Sequence, residues 1–241
     1  MWKMVGGISR NGQRAIILAG CACVGAYVAY YYWKKRELKA IDEGFEDLAK
    51  IDDTHERRIL LLGLDGAGKT SVMNQAVAAD SHGNLYQMPP KPTDGFAVYK
   101  LRKGDYVFNV WEIGGGDEPR KYWSNFLQDT DLLVFLVDAA DSVKLSQAVQ
   151  MLKQLLGDQR MDNVPILVVA NKQDDPHAMK PNQIKEALDL YSISPHQHRV
   201  EVIGCQTGPL PDLEPGLTEY NWYHPSIETV RKKIFSLSTI S

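Results

Sequence analysis

Apolar residues fall along this chain in distinct patterns. Between Ala15 and Trp33 no charged residue interrupts the run AIILAGCACVGAYVAYYYW, and about 20 apolar residues are what a helix needs to cross a bilayer. Further on the spacing changes. Leu38, Ile41, Phe45, Leu48 and Ile51 recur every three or four positions among charges of both signs, which makes a narrow stripe on a helix. Beyond Arg58, short continuous apolar runs take over. Ile59–Leu62, Leu132–Val137 and Val164–Ala170 each read as a strand buried on both faces. Phe96–Leu101 and Tyr106–Glu112 alternate and are joined by Arg102-Lys103-Gly104-Asp105, the pattern of a β-hairpin. Helices are expected over Ser71–Ala79, over Glu118–Gln128, and over Ser226–Ser238, where Ile227, Val230, Ile234 and Leu237 share a face. Buried strands alternating with helices, plus one hairpin, predict an α/β fold with a mostly parallel sheet.

The organisation that follows is a short tail over 1–14, a transmembrane anchor over 15–33, a charged helical stalk over 34–57 and a globular domain over 58–241. Tyr27, Tyr30, Tyr31, Tyr32 and Trp33 crowd the C-terminal end of the apolar run, where amphipathic rings favour the headgroup zone. Two other readings compete with the anchor. A cleaved secretory signal would need a small-residue cleavage site, and here Lys34-Lys35-Arg36 follow the aromatics instead. A buried core helix would need a large apolar partner surface. The stalk also reads in two ways, as a helix packed on the domain or as one lying on the membrane.

Composition narrows the field. With 27 Lys+Arg against 30 Asp+Glu and a net charge of −3, the chain lacks the basic excess that nucleic-acid binding usually requires. Cys21, Cys23 and Cys205 form neither a zinc spacing nor a disulfide framework, and a reducing compartment is expected.

The chemistry is concentrated in two motifs. After the strand Ile59–Leu62 comes Gly63-Leu64-Asp65-Gly66-Ala67-Gly68-Lys69-Thr70, which matches G-x-x-x-x-G-K-[ST] with a strand before and a helix after. Glycines let successive N–H groups curl inward towards phosphate oxygens, and the helix N-terminus adds positive partial charge. Lys69 is expected to reach the β and γ phosphates, and Thr70 to offer its hydroxyl to Mg²⁺. Asp65, Gly66, Ala67, Gly68 and Ser71 complete the candidate loop. The strand Val164–Ala170 ends in Asn171-Lys172-Gln173-Asp174, and Asn-Lys-x-Asp at a strand end resembles the guanine-specificity motif of the GTPase superfamily. The Asp174 carboxylate can accept from N1–H and the exocyclic amine of guanine; adenine offers no such donor pair, and an unpaired carboxylate costs affinity. The Lys172 stem can cover one face of the base, and Asn171 can tie this turn to the phosphate loop. GTP or GDP with Mg²⁺ is therefore the expected ligand. That places the domain in the cytosol, so the chain is read as a single-pass membrane protein of the endoplasmic reticulum or the mitochondrial outer membrane.

Pro92-Thr93-Asp94-Gly95-Phe96, the hairpin, Trp111-Glu112-Ile113-Gly114-Gly115, Val137-Asp138-Ala139-Ala140-Asp141 and Ala170-Asn171-Lys172-Gln173-Asp174 occur in the order seen in Arf-family small GTPases, and the chain resembles that family over about Arg58–Ser238. The apolar start and the Glu-Ile-Gly-Gly variant most resemble the divergent, membrane-anchored ninth and tenth Arf-like branch. The resemblance implies a P-loop small G domain with a mostly parallel six-stranded sheet. It implies that Thr93 ligates Mg²⁺ together with Thr70, and that Gly115 bonds the γ-phosphate through its N–H. It also implies that Cys205-Gln206 sit in a loop where a backbone N–H reads the guanine carbonyl. Expected partners are effector proteins bound through the switch loops, an exchange factor, an activating protein and the membrane, with no nucleic acid.

Departures from the family pattern bear on mechanism. Glu112 stands where the family has a magnesium-side aspartate. Gly116 stands where it has the glutamine that orients the attacking water, so no catalytic side chain is assigned and slow GTP hydrolysis is expected. The alternative is a GTP-binding scaffold that does not hydrolyse at all. Trp2 lacks the glycine that N-myristoylation needs, and the apolar segment takes the place of a lipid anchor. Gly208–Pro225 is a Pro-rich insertion, read either as a neutral surface loop or as a partner contact.

Overall fold

The computed structural model describes residues 55–81, 85–86, 90–208, 219–220 and 223–239. The tail, the anchor and the stalk up to residue 54 lie outside the described residues. Among those described, no helix is long and apolar enough to cross a membrane.

A six-stranded sheet forms the body of the domain, in the order β3-β4-β1-β5-β6-β7. Its strands are β1 (Glu56–Leu62), β3 (Phe96–Lys103), β4 (Tyr106–Ile113), β5 (Leu132–Asp138), β6 (Ile166–Asn171) and β7 (Val200–Gly204). β3 and β4 pair antiparallel as a hairpin, while β1 runs parallel to β4 on one edge and to β5 on the other. The mostly parallel sheet expected from the strand pattern is thus present. A separate two-stranded ladder pairs β2 (Leu85–Tyr86) with β8 (Glu219–Tyr220), which lies within the Pro-rich insertion.

The continuous apolar runs reflect burial on both faces. Ile59 and Leu61 of β1, Val110 of β4, Leu132, Val134 and Leu136 of β5, and Leu167 and Val169 of β6 belong to one core. It also contains Val72, Met73 and Ala76 of helix α1 (Lys69–Ser81) and Ile227, Val230, Ile234 and Phe235 of the C-terminal helix. Successive side chains on a strand point to opposite faces. The alternate residues Leu60, Leu62, Leu133, Phe135, Ile166 and Val168 are equally buried on the other side, where a helix at Ser142–Leu156 packs on β5.

The expected helix over Glu118–Gln128 is not continuous. It divides into α2 (Asp117–Arg120) and a 3₁₀ turn (Trp123–Phe126). In a 3₁₀ turn, positions three apart eclipse, so Trp123 and Phe126 are both buried. The Trp123 indole donates to the Gly114 carbonyl at 2.9 Å. Helix α3 is Ser142–Leu156, its N-terminus capped by the Asp141 carboxylate accepting from the N–H groups of Val143 and Lys144. Helix α4 is Pro181–Ala187 and α5 is Pro225–Ser238.

Phe135, fully buried in β5 and edge-on to Trp123, tests this packing. Phe135→Ala is expected to destabilise the domain by about 3–5 kcal/mol in urea unfolding followed by circular dichroism. A loss under about 1 kcal/mol would contradict the two-faced core.

Candidate functional site

The sheet's parallel strands all deliver their C-terminal ends to one side, and there the loops enclose a cleft of about 920 Å³. That is the size range of a nucleotide or cofactor pocket. β1 supplies the first wall. After Leu62 the chain curls through Gly66 and Gly68 into α1, whose first turn presents Lys69, Thr70 and Ser71 to the cleft. The opening N–H groups of a helix have no intrahelical acceptor and draw anions. At Gly68, φ is +90°, and a Cβ there would lie 2.4 Å from the Asn171 amide nitrogen; only glycine fits. That same Asn171 nitrogen, carried in by the end of β6, donates to the Ala67 carbonyl at 2.8 Å. The two motifs, far apart in sequence, are thereby tied together.

Lys69 is 6% exposed. Its Nζ donates to the carbonyls of Gly63 and Leu64 at 2.7 and 3.2 Å. Burial pushes its ammonium down to about 8, partly opposed by the Glu112 carboxylate. A buried amine held only by neutral carbonyls invites an anion. Lys144 pairs with Asp65 on the loop's outer side at 3.0 Å.

Opposite Lys69, hydroxyls and one carboxylate converge. Glu112, at the end of β4, is 1% exposed. Its Oε1 accepts from the Thr70 hydroxyl at 2.6 Å and from the Thr93 hydroxyl at 3.1 Å, and the two threonine oxygens are 3.2 Å apart. Its Oε2 accepts from the Tyr99 hydroxyl at 3.0 Å. Burial, reinforced by Glu112, raises the Tyr99 phenol above its ordinary value, so it remains a donor. Hard oxygen donors of this kind suit Mg²⁺.

Gly115 closes the cleft by packing its backbone onto the phosphate loop. A Cβ there would lie 2.4 Å from the Gly63 oxygen and 2.5 Å from the Asp65 nitrogen. Its carbonyl accepts from the Asp65 N–H at 3.1 Å and from Arg120 Nη1 at 2.9 Å. Arg120 also pairs with Asp117. Gly116 is different: it is extended, with φ −70° and ψ 170°, and a Cβ would meet only Pro119 Cδ at 3.8 Å.

At the other end of the cleft, Asp174 faces Gly208, whose added Cβ would lie 3.3 Å from Asp174 Oδ2. Lys172 sits at φ +62° and its Nζ pairs with Asp138 at 2.6 Å.

Most of the residues singled out from the sequence therefore meet at one cleft: Asp65, Gly66, Gly68, Lys69, Thr70, Ser71, Thr93, Gly115, Gly116, Asn171, Lys172 and Asp174. Ala67, Cys205 and Gln206 do not line it. Ala67 is buried, and contributes the carbonyl held by Asn171. Cys205 is fully buried, its thiol pushed up to about 11 by that burial. The resemblance implies that a backbone N–H of the Cys205–Gln206 loop reads the guanine carbonyl; the Gln206 N–H donates to Ser226 Oγ at 3.1 Å. Thr207 and Gly208 form the wall instead. Gln75 is an unexpected contributor. Its amide donates to the Thr207 carbonyl at 2.8 Å and accepts from the His224 N–H at 3.1 Å, so α1 clamps both ends of the Pro-rich insertion. Tyr99 is the other. Its only sequence signal is the period-2 alternation that turns it to the same face of β3 as the buried Leu101.

Residues 45–220 match the profile of the ADP-ribosylation factor family. The chain is 37% identical over 186 residues to ADP-ribosylation factor-like protein 2 of Drosophila melanogaster, across 76% of this chain and 91% of that protein. It is 37% identical over 153 residues to ADP-ribosylation factor-like protein 3 of Chlamydomonas reinhardtii, across 64% and 83% respectively. Among solved structures it is similar to the Arl6 BBS3 small GTPase from Trypanosoma brucei with bound nucleotide analogue GppNp. There the TM-score is 0.55 and the identity 25%, over 63% of this chain and 87% of that one.

Lys69 gives the site a pH signature. Its pKa in the protein is held below the ordinary lysine value, and a phosphate group beside it would restore the charged form. Affinity is then full below about pH 8 and lost as pH rises past it. GDP binding is expected to weaken about tenfold between about pH 7 and pH 9, with net proton uptake. Calorimetric titrations in two buffers of different ionisation enthalpy would read that uptake; none at about pH 8.5 would contradict it.

Proposed function

The chain belongs to the ADP-ribosylation factor family and is an Arf-like small GTPase, a GTP-binding switch; on that premise we propose that it is a membrane-anchored switch with slow intrinsic hydrolysis. The observation that carries the slow hydrolysis is Gly116. It lines the cleft with no side chain where the family places the glutamine that orients water.

The remaining residues support binding. Lys69 and the first-turn amides of α1 would hold the β and γ phosphates. Thr70 and Thr93 would ligate magnesium, with Glu112 behind them as their hydrogen-bond acceptor. Magnesium, when bound, neutralises charge developing on the phosphate oxygens. Asp174 would accept from the guanine N1–H and amine, with Asn171 fixing its turn against the phosphate loop. With the Gln206 N–H bonded to Ser226, the Thr207–Gly208 segment, which lines the cleft, would be the backbone nearest the base. Phe96, Val98 and Tyr122, exposed apolar side chains beside the switch loops, support effector recruitment, with an exchange factor and an activating protein setting the nucleotide state.

The run Ala15–Trp33 supports a bilayer anchor with the G domain in the cytosol, at the endoplasmic reticulum or the mitochondrial outer membrane. Together with the Glu112-Ile113-Gly114-Gly115 variant it supports the ninth and tenth Arf-like branch. A transmembrane anchor would keep the protein on the membrane in both nucleotide states.

A second reading, a scaffold that holds GTP without hydrolysing it, draws on the same Gly116 and on the closed Thr70–Glu112–Thr93 cluster. One experiment separates the two. The space around Gly116 accepts a side chain, so Gly116→Gln should fold. Under single-turnover conditions it should hydrolyse GTP faster than the natural chain by on the order of 10²-fold. Hydrolysis by the natural chain that Gly116→Gln does not accelerate would contradict the proposal, and no hydrolysis by either would favour the scaffold.

A further inference from the structure

Glu112 is buried to 1% exposure, yet it carries a longer and looser carboxylate than an aspartate would. Its Oε1 serves both threonine hydroxyls, at 2.6 and 3.1 Å. If the side chain turned, that oxygen would leave them. What prevents the turn is on the neighbouring strand. In the β3–β4 hairpin, Glu112 is opposite Ala97 and Val110 is opposite Tyr99, so Tyr99 is the diagonal neighbour of Glu112 on the same face of the sheet. A long side chain reaches across that diagonal, and the Tyr99 hydroxyl donates to Oε2 at 3.0 Å. The ring itself is packed against the core, so its hydroxyl is a fixed point. The two carboxylate oxygens are thus divided, one for the threonines and one for the phenol.

We infer that Tyr99 is a positioning residue for magnesium: by holding Glu112 Oε2 it aims Oε1 at Thr70 and Thr93 and sets how strongly the cation retains nucleotide. The inference rests on the nucleotide-binding reading above. Acceptors of this kind orient metal ligands, and removing them typically lowers metal affinity about 10–100-fold. The arrangement also compensates for the extra methylene of Glu112. An aspartate in its place would withdraw the carboxylate towards β4 and out of reach of the phenol.

The test uses the full-length chain in detergent micelles, loaded with a fluorescent guanine diphosphate. Release is followed at millimolar Mg²⁺ and again with excess chelator. In the natural chain, chelation should accelerate release strongly. In Tyr99→Phe, which keeps the ring and its packing, the ratio of the two rates should fall about tenfold, and the magnesium concentration that half-slows release should rise by a similar factor. In a Glu112→Asp background, Tyr99→Phe should have no further effect, because the contact it removes is already lost. An unchanged ratio in Tyr99→Phe would overturn the inference. So would equal acceleration with and without magnesium, which marks a packing effect alone, or the same loss in the Glu112→Asp background. Failure of the natural chain to retain the fluorescent nucleotide would overturn the binding reading and this inference with it; retention with a magnesium response untouched by Tyr99→Phe would overturn this inference alone.

Discussion

Strand β1 is hydrogen-bonded along both edges and covered on both faces, and the phosphate loop hangs from its end. Ile59, Leu60, Leu61 and Leu62 are all at most 1% exposed. With β4 on one side and β5 on the other, the strand has no freedom to shift register, because a slip of one residue would exchange the side chains of its two faces. The turn that follows Leu62 therefore starts from a fixed point. Other strands of the sheet end on the same side, β4 bringing Glu112 and, just past its end, Gly115, and β6 bringing Asn171. The site is a consequence of parallel strands finishing together.

Within that frame the cleft pairs opposed demands. Lys69 is buried with its charge weakened, which disposes it to an anion. Beside it, Thr70 and Thr93 crowd one oxygen of Glu112, which disposes them to a cation. Phosphate and a divalent metal satisfy both together. Hydrogen bonds within the protein already draw Thr93 to Thr70, and Gly115 packs on the phosphate loop through its carbonyl. The switch segments of this chain are thus held by protein contacts as well as by any ligand.

Much of this was legible in the sequence because the informative residues lie close together in it. The phosphate loop sits between its strand and its helix, and Asn171–Asp174 follows a buried run, so local context identifies both. The parallel strands were legible because burial on two faces writes an unbroken apolar run. What sequence did not disclose depends on register and on distant pairs. Tyr99 matters through its diagonal placement against Glu112, which exists only once the hairpin is in register. The Gln206 N–H is taken by Ser226, twenty residues away. Gln75 reads as an ordinary helix residue until α1 is set beside the insertion it clamps. The segment after Gly116 looked helical, yet burying Trp123 and Phe126 on one side tightened it into a 3₁₀ turn.

This cleft is proposed to be a guanine-nucleotide site, with Asp174 reading the base and Lys69 the phosphates. The most direct measurement is the identity of the nucleotide that purifies with the full-length chain in magnesium, released by denaturation and resolved by chromatography. GTP or GDP is expected at close to one per chain, lost on Lys69→Ala or Asp174→Ala. An adenine nucleotide, or no nucleotide at all, would contradict it.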